Sequence, residues 1–423
     1  MNNSISQRSV LVIGAGIIGL SVALRLQLDG YDVTIVDAQE PMKGCSAGNA
    51  GCLSEANIFP PMTPEILLQV PKLLLSSDGP LIIRPSYVAQ MMPWLGLAAK
   101  ALRASERERI ISAMASITSR AIASFDDLVA ASGASDLLAA QGLLVAFKSA
   151  TSLESRAQRL PVWKQYGIQV ERLGASDTRD LAPALHEEMA GGLFFSRSGQ
   201  CKEPYLLGIR YLERLTRGGG KLIRAKVISV ARDSEGRAKL VTTGGELSAG
   251  HIVVCAGYQS KALLQSLGQH VPLASERGYH LMLPDAGIGL NLPVIFGEPY
   301  FAATPMLNGI RLAGTAEFAR FDAPANLGRA RMLYRQARSY LPGISDANAY
   351  SWLGVRPTFP DGMPAIGVVD AWPEVLYAFG HSHNGLTLSA ITAKCISALM
   401  SDSPIDIPIH EMSLRRFQKT LSR

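Results

Sequence analysis

One short unit near the N-terminus limits what this chain can fold into. Ser9-Val10-Leu11-Val12-Ile13 is an apolar run suited to a strand buried on both faces of a parallel sheet. Gly14-Ala15-Gly16-Ile17-Ile18-Gly19 follows at once, and Leu20 to Leu26 continues as an apolar helix. Val33 to Val36 reads as a second strand, which closes on Asp37. Gly14 permits a tight turn, Gly16 lets backbone approach a pyrophosphate, and Gly19 lets the helix pack close on the strand. The anion would rest at the helix N-terminus, where unpaired N–H groups and the helix dipole favour negative charge. Asp37 stands where an acid can bind a ribose 2′-hydroxyl. Gly-x-Gly-x-x-Gly alone is a weak signal, but strand, helix, strand and acid in this order make a dinucleotide-binding unit. FAD and NAD both use such units, so the choice stays open at this point.

A chain of 423 residues is too long for one simple core and suits two domains. At 48% hydrophobic and 18% charged residues it is globular in composition. A net charge of +6, scattered in small clusters such as Arg103 to Arg109, suits anionic substrates, a lipid headgroup surface, or no particular partner. No aromatic-interleaved basic tract argues for nucleic acid. The five cysteines (45, 52, 201, 255 and 395) are odd in number and lack a Cys-x-x-Cys pair, so neither a disulfide framework nor a zinc site is expected. No apolar signal core precedes the first strand, and reduced thiols fit a cytoplasmic protein. The apolar run Ile82 to Leu102 is interrupted by Arg84, Pro85, Gln90, Pro93 and Lys100, which makes it a poor membrane span. It suits a helix packed on the protein, or one lying on the inner face of a membrane.

Further along, Cys45 to Ser54 is crowded with small residues that let backbone press on a flat or charged ligand. Ser46 and Asn49 offer hydrogen bonds there. Residues 60–79 read as loop plus a short helix, Tyr87 to Ala131 as helical, and Leu153 to Tyr166 as one helix. Lys221 to Ala225, Val227 to Arg232 and Lys239 to Thr243 read as a β-meander with a hairpin at Gly244-Gly245. His251 to Val254 is a second buried parallel-type strand, ending at Cys255-Ala256-Gly257, and the C-terminal ends of such strands hold ligands. Alternating runs over 271–320 suggest the mixed or antiparallel sheet of a second domain. Leu376 to Phe379 leads through Gly380-His381-Ser382-His383-Asn384-Gly385 into a helix reaching about Met400, a second strand-to-helix junction able to aim an N-terminus at a cofactor.

With these five pieces in order, the chain resembles the D-amino-acid oxidase superfamily of FAD enzymes, and within it the bacterial D-amino-acid dehydrogenases. The pieces are Gly14 to Gly19 with Asp37, Ser46 to Gly51, Val253 to Gly257, Gly354-Val355-Arg356-Pro357 with Pro360 to Pro364, and Gly380 to Gly385. The resemblance implies an α/β fold: a discontinuous Rossmann-like FAD-binding domain (1–80, 200–265 and 350–423) plus an α+β substrate domain (81–199 and 266–349). It implies that Gly14, Ala15, Gly16, Ile17, Ile18 and Gly19 hold the pyrophosphate and Asp37 with Ala38 the adenosine ribose. Ser46, Asn49, Ala50, Gly51 and Leu53 would line the pyrophosphate and ring side, and Val227, Ala256 and Gly257 the adenine side and sheet end. His383, Asn384, Gly385, Leu386 and Thr387 would approach the flavin, as would Arg356.

Arg356 is also the implied clamp for a substrate carboxylate, since a planar guanidinium makes a bidentate pair with one. The competing reading is a structural arginine paired with an acid such as Asp361. Tyr258, Tyr279, His280 and Tyr300 are further candidates for the substrate site. The implied reaction oxidises the C–N bond of a D-amino acid, D-proline or D-hydroxyproline among them, by hydride transfer to the flavin. An imine forms and hydrolyses to a 2-oxo acid, and electrons pass to a quinone or carrier protein. No metal is expected. Alternatives are a glycine or sarcosine oxidase-like amine oxidase, a non-catalytic or electron-carrying flavoprotein subunit, an RNA-modifying enzyme and an NAD-only dehydrogenase.

Overall fold

The computed structural model describes residues 7–64 and 79–418. The loop and helix expected over 60–79 fall mostly outside them. The N-terminal unit forms as expected: strand Ser9–Ile13, helix Ile17–Leu28, strand Asp32–Asp37. These strands sit inside a six-stranded sheet whose order is Lys221–Arg224, Asp32–Asp37, Ser9–Ile13, His251–Val254, Trp372–Phe379, Ala365–Val369. All neighbours are parallel except the last pair. The apolar runs are continuous because both faces are covered. Val10, Val12, Ile35 and Val253 pack with helix residues Leu20, Leu24, Leu207 and Ile391 on one side. Leu11, Ile13, Val36, Ile252 and Val254 pack with Val230 and Leu240 on the other.

That second cover is a three-stranded antiparallel ribbon of Val227–Arg232, Ala238–Thr242 and Gly245–Ser248. The expected meander is thus corrected. Lys221–Arg224 pairs parallel with Asp32–Asp37 at the edge of the main sheet, and only the later strands form the ribbon. The short apolar pair Leu222-Ile223 does not tell a parallel edge strand from a hairpin strand. The helix expected over Leu153 to Tyr166 is two, Ala150–Ala157 and Leu160–Gln165, with Pro161 in the first turn of the second, where its missing N–H costs nothing.

A nine-stranded mixed sheet forms the other layer. Its order is Tyr350–Thr358, Ala274–Leu283, Gly309–Phe318, Phe301–Met306, Val294–Phe296, Leu143–Phe147, Gly191–Phe195, Glu171–Leu173, with Leu81–Ile83 beside the end of Gly309–Phe318. Tyr350–Thr358, grouped with the cofactor-binding segments in the sequence reading, is an edge strand of this sheet. One face packs on helix Gly328–Ala337 through Leu281, Leu312, Phe301 and Leu333. The opposite face is turned toward Gly48, Asn49 and Cys52 of the glycine-rich loop. Helix Val88–Ala98 braces the edge strand, with Trp94 Nε1 donating to the Thr358 carbonyl at 3.0 Å. Among the described residues no helix is long and apolar enough to cross a membrane, and no group of His, Cys, Asp and Glu is arranged to hold a metal ion.

The closest approach in the N-terminal unit is backbone on backbone. A Cβ at Gly19 would lie 1.9 Å from the Gly14 carbonyl oxygen. Gly19→Ala should therefore push helix Ile17–Leu28 off the sheet and cost about 1–3 kcal/mol, read as a lower urea midpoint. An unchanged midpoint would show that the helix seat has slack.

Candidate active site

Three segments converge where the first strand ends. Gly14 has φ +108, and a Cβ there would lie 2.6 Å from the Cys255 carbonyl oxygen, so this crossing admits only glycine. Cys255 N donates to Ile13 O at 2.8 Å, which brings Ala256 and Gly257 beside the turn. Helix Ile17–Leu28 then begins at Gly16, with no side-chain cap from that residue and no acid in its first turn. Ile17 N donates to Ser46 Oγ at 3.1 Å, and Ala15 N donates to Asp37 Oδ2 at 2.7 Å. Ile18 is half-buried on the helix and Ala38 is exposed beyond Asp37. Ala225 N donates to Asp37 O at 3.0 Å, so Val227 begins its strand close to the same acid.

The glycine-rich loop lies between this crevice and the large sheet. Asn49 Oδ1 accepts from Gly51 N at 2.8 Å, so its side chain shapes the loop. Gly51 has φ +78, with the Cys201 carbonyl 2.7 Å from where a Cβ would be. Arg311 Nη1 donates to Asn49 O at 2.7 Å, and His280 Nδ1 lies 3.0 Å from Gly48 O. A carbonyl only accepts, so Nδ1 carries the His280 proton. His280 stacks on Trp352 with ring centroids 5.0 Å apart. A Cβ on Gly48 would strike that indole at 2.2 Å. Leu53 is buried in the core beside this loop. At the final junction Thr387 Oγ1 donates to Cys52 O at 3.4 Å and accepts from Ser54 N at 3.3 Å, while Asn384 Oδ1 accepts from Asn57 Nδ2 at 2.9 Å. Gly385 opens helix Gly385–Ser401, with Leu386 buried behind it and no acid in its first turn. Two helix N-termini without acids, a turn only glycine can make, and a loop of small residues between them fit a dinucleotide with an anionic centre.

On the large sheet, strand alternation sorts the remaining candidates. Glu276, Gly278 and His280 pair with Arg356, Gly354 and Trp352 across the antiparallel register and share their face. Arg356 Nη1 donates to Glu276 Oε1 at 2.9 Å and to Thr315 O at 3.0 Å. Its guanidinium lies against Gly278, where a Cβ would be 2.2 Å from Nη2. Among the described residues its Nε and Nη2 take no protein hydrogen bond. The sequence alternative is corrected in its partner: Asp361 bonds Arg416 at 2.7 Å in a buried pair, and the acid on Arg356 is Glu276. His383 is exposed, and its Nδ1 lies 3.3 Å from Ser382 Oγ, which lies 3.2 Å from Thr358 Oγ1.

Tyr279 is corrected as well. It alternates to the opposite face, 1% exposed in the core, where its hydroxyl donates to Glu317 Oε2 at 2.5 Å. Tyr258 stacks on Phe321 with centroids 5.2 Å apart, in a turn that packs against strand Tyr350–Thr358; burial pushes its phenol up to about 12. Tyr300 is 41% exposed in left-handed backbone, at the outer start of strand Phe301–Met306. The structure thus brings Arg356, His280 and the glycine loop together and sets Tyr279 apart. Sequence reasoning missed Glu276, Thr358 and Arg311 as site residues. Their signal is the pairing of strands some 80 residues apart in sequence, as from Glu276 to Arg356.

The family of FAD-dependent oxidoreductases known as DAO matches residues 9–399. This chain belongs to that family. It is an FAD oxidoreductase, and the NAD-only alternative falls away. A D-amino-acid oxidase of Bradyrhizobium diazoefficiens is 32% identical over 97% of this chain and 99% of its own. A D-amino acid dehydrogenase of Mesorhizobium japonicum is 29% identical over 97% of this chain and all (100%) of its own. Among solved structures, glycine oxidase from Geobacillus kaustophilus matches with a TM-score of 0.74 at 21% identity, covering 97% of this chain and 99% of that one. L-proline dehydrogenase from P. horikoshii matches with 0.75 at 14% identity, covering 97% of each chain. These two share the fold.

Burial, then the Arg311 charge, push the His280 imidazole down to about 4 despite its bond to Gly48. Between an unfolded value of about 6.5 and that one, the unfolded chain binds a proton that the folded chain does not, so stability falls as pH falls through the window, by up to about 3 kcal/mol. In His280→Phe the loss of denaturation midpoint between pH 7 and pH 4.5 should be smaller than in the parent. An equal loss would place the acid sensitivity elsewhere.

Proposed function

We propose that the protein oxidises the α-amino group of a D-amino acid to the imine, which water converts to a 2-oxo acid and ammonia, and passes the electrons to a quinone or carrier protein. Neutral and cyclic substrates such as D-alanine, D-proline and D-hydroxyproline fall in this class; a cyclic imine would persist or open. FAD, when bound, supplies the two-electron acceptor. Gly14 to Gly19, Asp37, Ser46 to Gly51 and the junction at His383 to Thr387 are the groups that would hold it.

One observation carries the substrate reading. Arg356 is fixed through Nη1, while its Nε and Nη2 edge has no protein partner and the side chain is 24% exposed. That edge suits bidentate capture of a carboxylate, which sets orientation as well as charge. The chain's part is then to orient the α-hydrogen and exclude water, and no side chain need act as base. The D configuration follows the names of the curated relatives. Those names divide between oxidase and dehydrogenase, and peroxide yield against dye reduction during turnover distinguishes the two acceptors. Contact with a quinone-bearing membrane draws support from Val88 and Met92, 43% and 58% exposed on helix Val88–Ala98, with Lys100, Arg103 and Arg107 following.

Anaerobic addition of D-amino acids should bleach the bound flavin while the L-enantiomers do not. Arg356→Lys keeps the charge that Glu276 needs but loses the fork. It should raise KM about tenfold to a hundredfold with FAD content unchanged. Normal kinetics in that variant, or bleaching by L-enantiomers alone, would overturn the assignment.

A further inference from the structure

Arg356 and Glu276 are half-used in a matched way. On the arginine, Nη1 is committed to Glu276 and to Thr315 O, and the Nε and Nη2 edge is unspent. On the glutamate, Oε1 accepts from Arg356 at 2.9 Å and Oε2 accepts from Thr358 Oγ1 at 2.8 Å. An ionised carboxylate has about four acceptor sites, so each oxygen keeps one. Their side chains are 24% and 9% exposed, so the pair is largely desolvated but open along one edge. An arginine meant only to clamp a carboxylate is weakened by a fixed acid beside it. Here the spare donors and the spare acceptors lie on one pair whose side chains are still partly open. A cationic edge next to an anionic acceptor is complementary to a zwitterion whose carboxylate and ammonium stand on one carbon.

We propose that Glu276 is the residue that receives the substrate's α-ammonium while Arg356 holds its carboxylate. The proposal rests on the amino-acid reading above. Burial alone would raise the Glu276 carboxyl, but Arg356, His383 and the hydrogen bonds from Thr358 and Arg356 outweigh it and hold the group below its usual range. It stays ionised, so its part is recognition and orientation. Thr358, braced by Ser382, fixes it from the far side. The pairing carries a selectivity. A second carboxylate on the substrate side chain meets Glu276 unfavourably, and a carboxylate without an amine loses the contact.

The test uses FAD-loaded enzyme, with D-alanine affinity taken from anaerobic flavin reduction and propanoate affinity from competitive inhibition. Glu276→Gln keeps the shape, with its amide oxygen still accepting from Arg356 and its NH2 turned to donate to Thr358 Oγ1, but removes the charge. It should weaken D-alanine by at least about tenfold and leave propanoate unchanged or tighter. Parallel weakening of both ligands would make Glu276 merely structural, and no change in either would show that it does not meet the amine; each overturns the proposal. Thr358→Val, which loosens Glu276 without removing its charge, should weaken D-alanine by less than Glu276→Gln does and leave propanoate unchanged; parallel weakening of both ligands would overturn the proposal. The unmodified enzyme gives an independent check if the variant misfolds: D-aspartate should be at least about tenfold poorer in kcat/KM than D-asparagine, and equal rates would overturn the proposal. An enzyme that no D-amino acid reduces would defeat the functional reading itself, whereas the outcomes above strike Glu276 alone.

Discussion

Two sheets of different construction must meet at one crevice, and a pair of hydrogen bonds couples them. Arg311 and His280, from neighbouring strands of the large sheet, reach the carbonyls of Asn49 and Gly48 in the loop beside the first helix N-terminus. Arg311 is 5% exposed, which is costly for a charge without partners. Glu203 lies 3.6 Å from Nη2, the Ala47 and Asn49 carbonyls accept from Nη1, and Nε is buried without a partner. Glu203 also caps helix Pro204–Arg217, which packs on helix Ile17–Leu28. The loop is therefore fixed to the substrate-side sheet, to the cofactor-side helices, and through Ser46 to the glycine turn. A shift in either sheet would be felt in the other through groups that cannot be left unpaired.

The cofactor half was legible because its signals are local. Gly14, Gly16, Gly19 and Asp37 lie within one unit of chain, and the backbone crowding at Gly14 and Gly19 disfavours any side chain there. The alternating faces of the central strands likewise explain runs that read as buried on both sides. The substrate half was legible only in outline. Arg356 stood out by its motif, but its partner did not, because Glu276 meets it through strand register rather than through spacing. Tyr279 and His280 adjoin in sequence and part company in space, since successive residues of a strand face opposite ways. Once the register is known, the same period that places His280 beside Trp352 sends Tyr279 to Glu317. The first strand of the expected meander failed for a related reason: nothing local to Lys221–Arg224 names its partner.

The guanidinium is held by an irregularity in the sheet, not by its regular part. Between Arg277 and Tyr279 the pairing with Gly309–Phe318 shifts, so that Gly278 stands opposite Thr315 and Ala316 together. Thr315 adopts φ +64, a left-handed conformation that its branched Cβ resists at a cost on the order of 1–3 kcal/mol. The bulge frees the Thr315 carbonyl from the ladder and Arg356 donates to it. Gly278 lacks the side chain that would otherwise occupy the space of the guanidinium. A regular ladder would bind that carbonyl to the neighbouring strand, and a bulkier residue at 278 would displace Arg356 from Glu276. Strain at Thr315 and the bare backbone at Gly278 thus serve one end: a cation held by a single nitrogen, with its other edge free of protein hydrogen bonds.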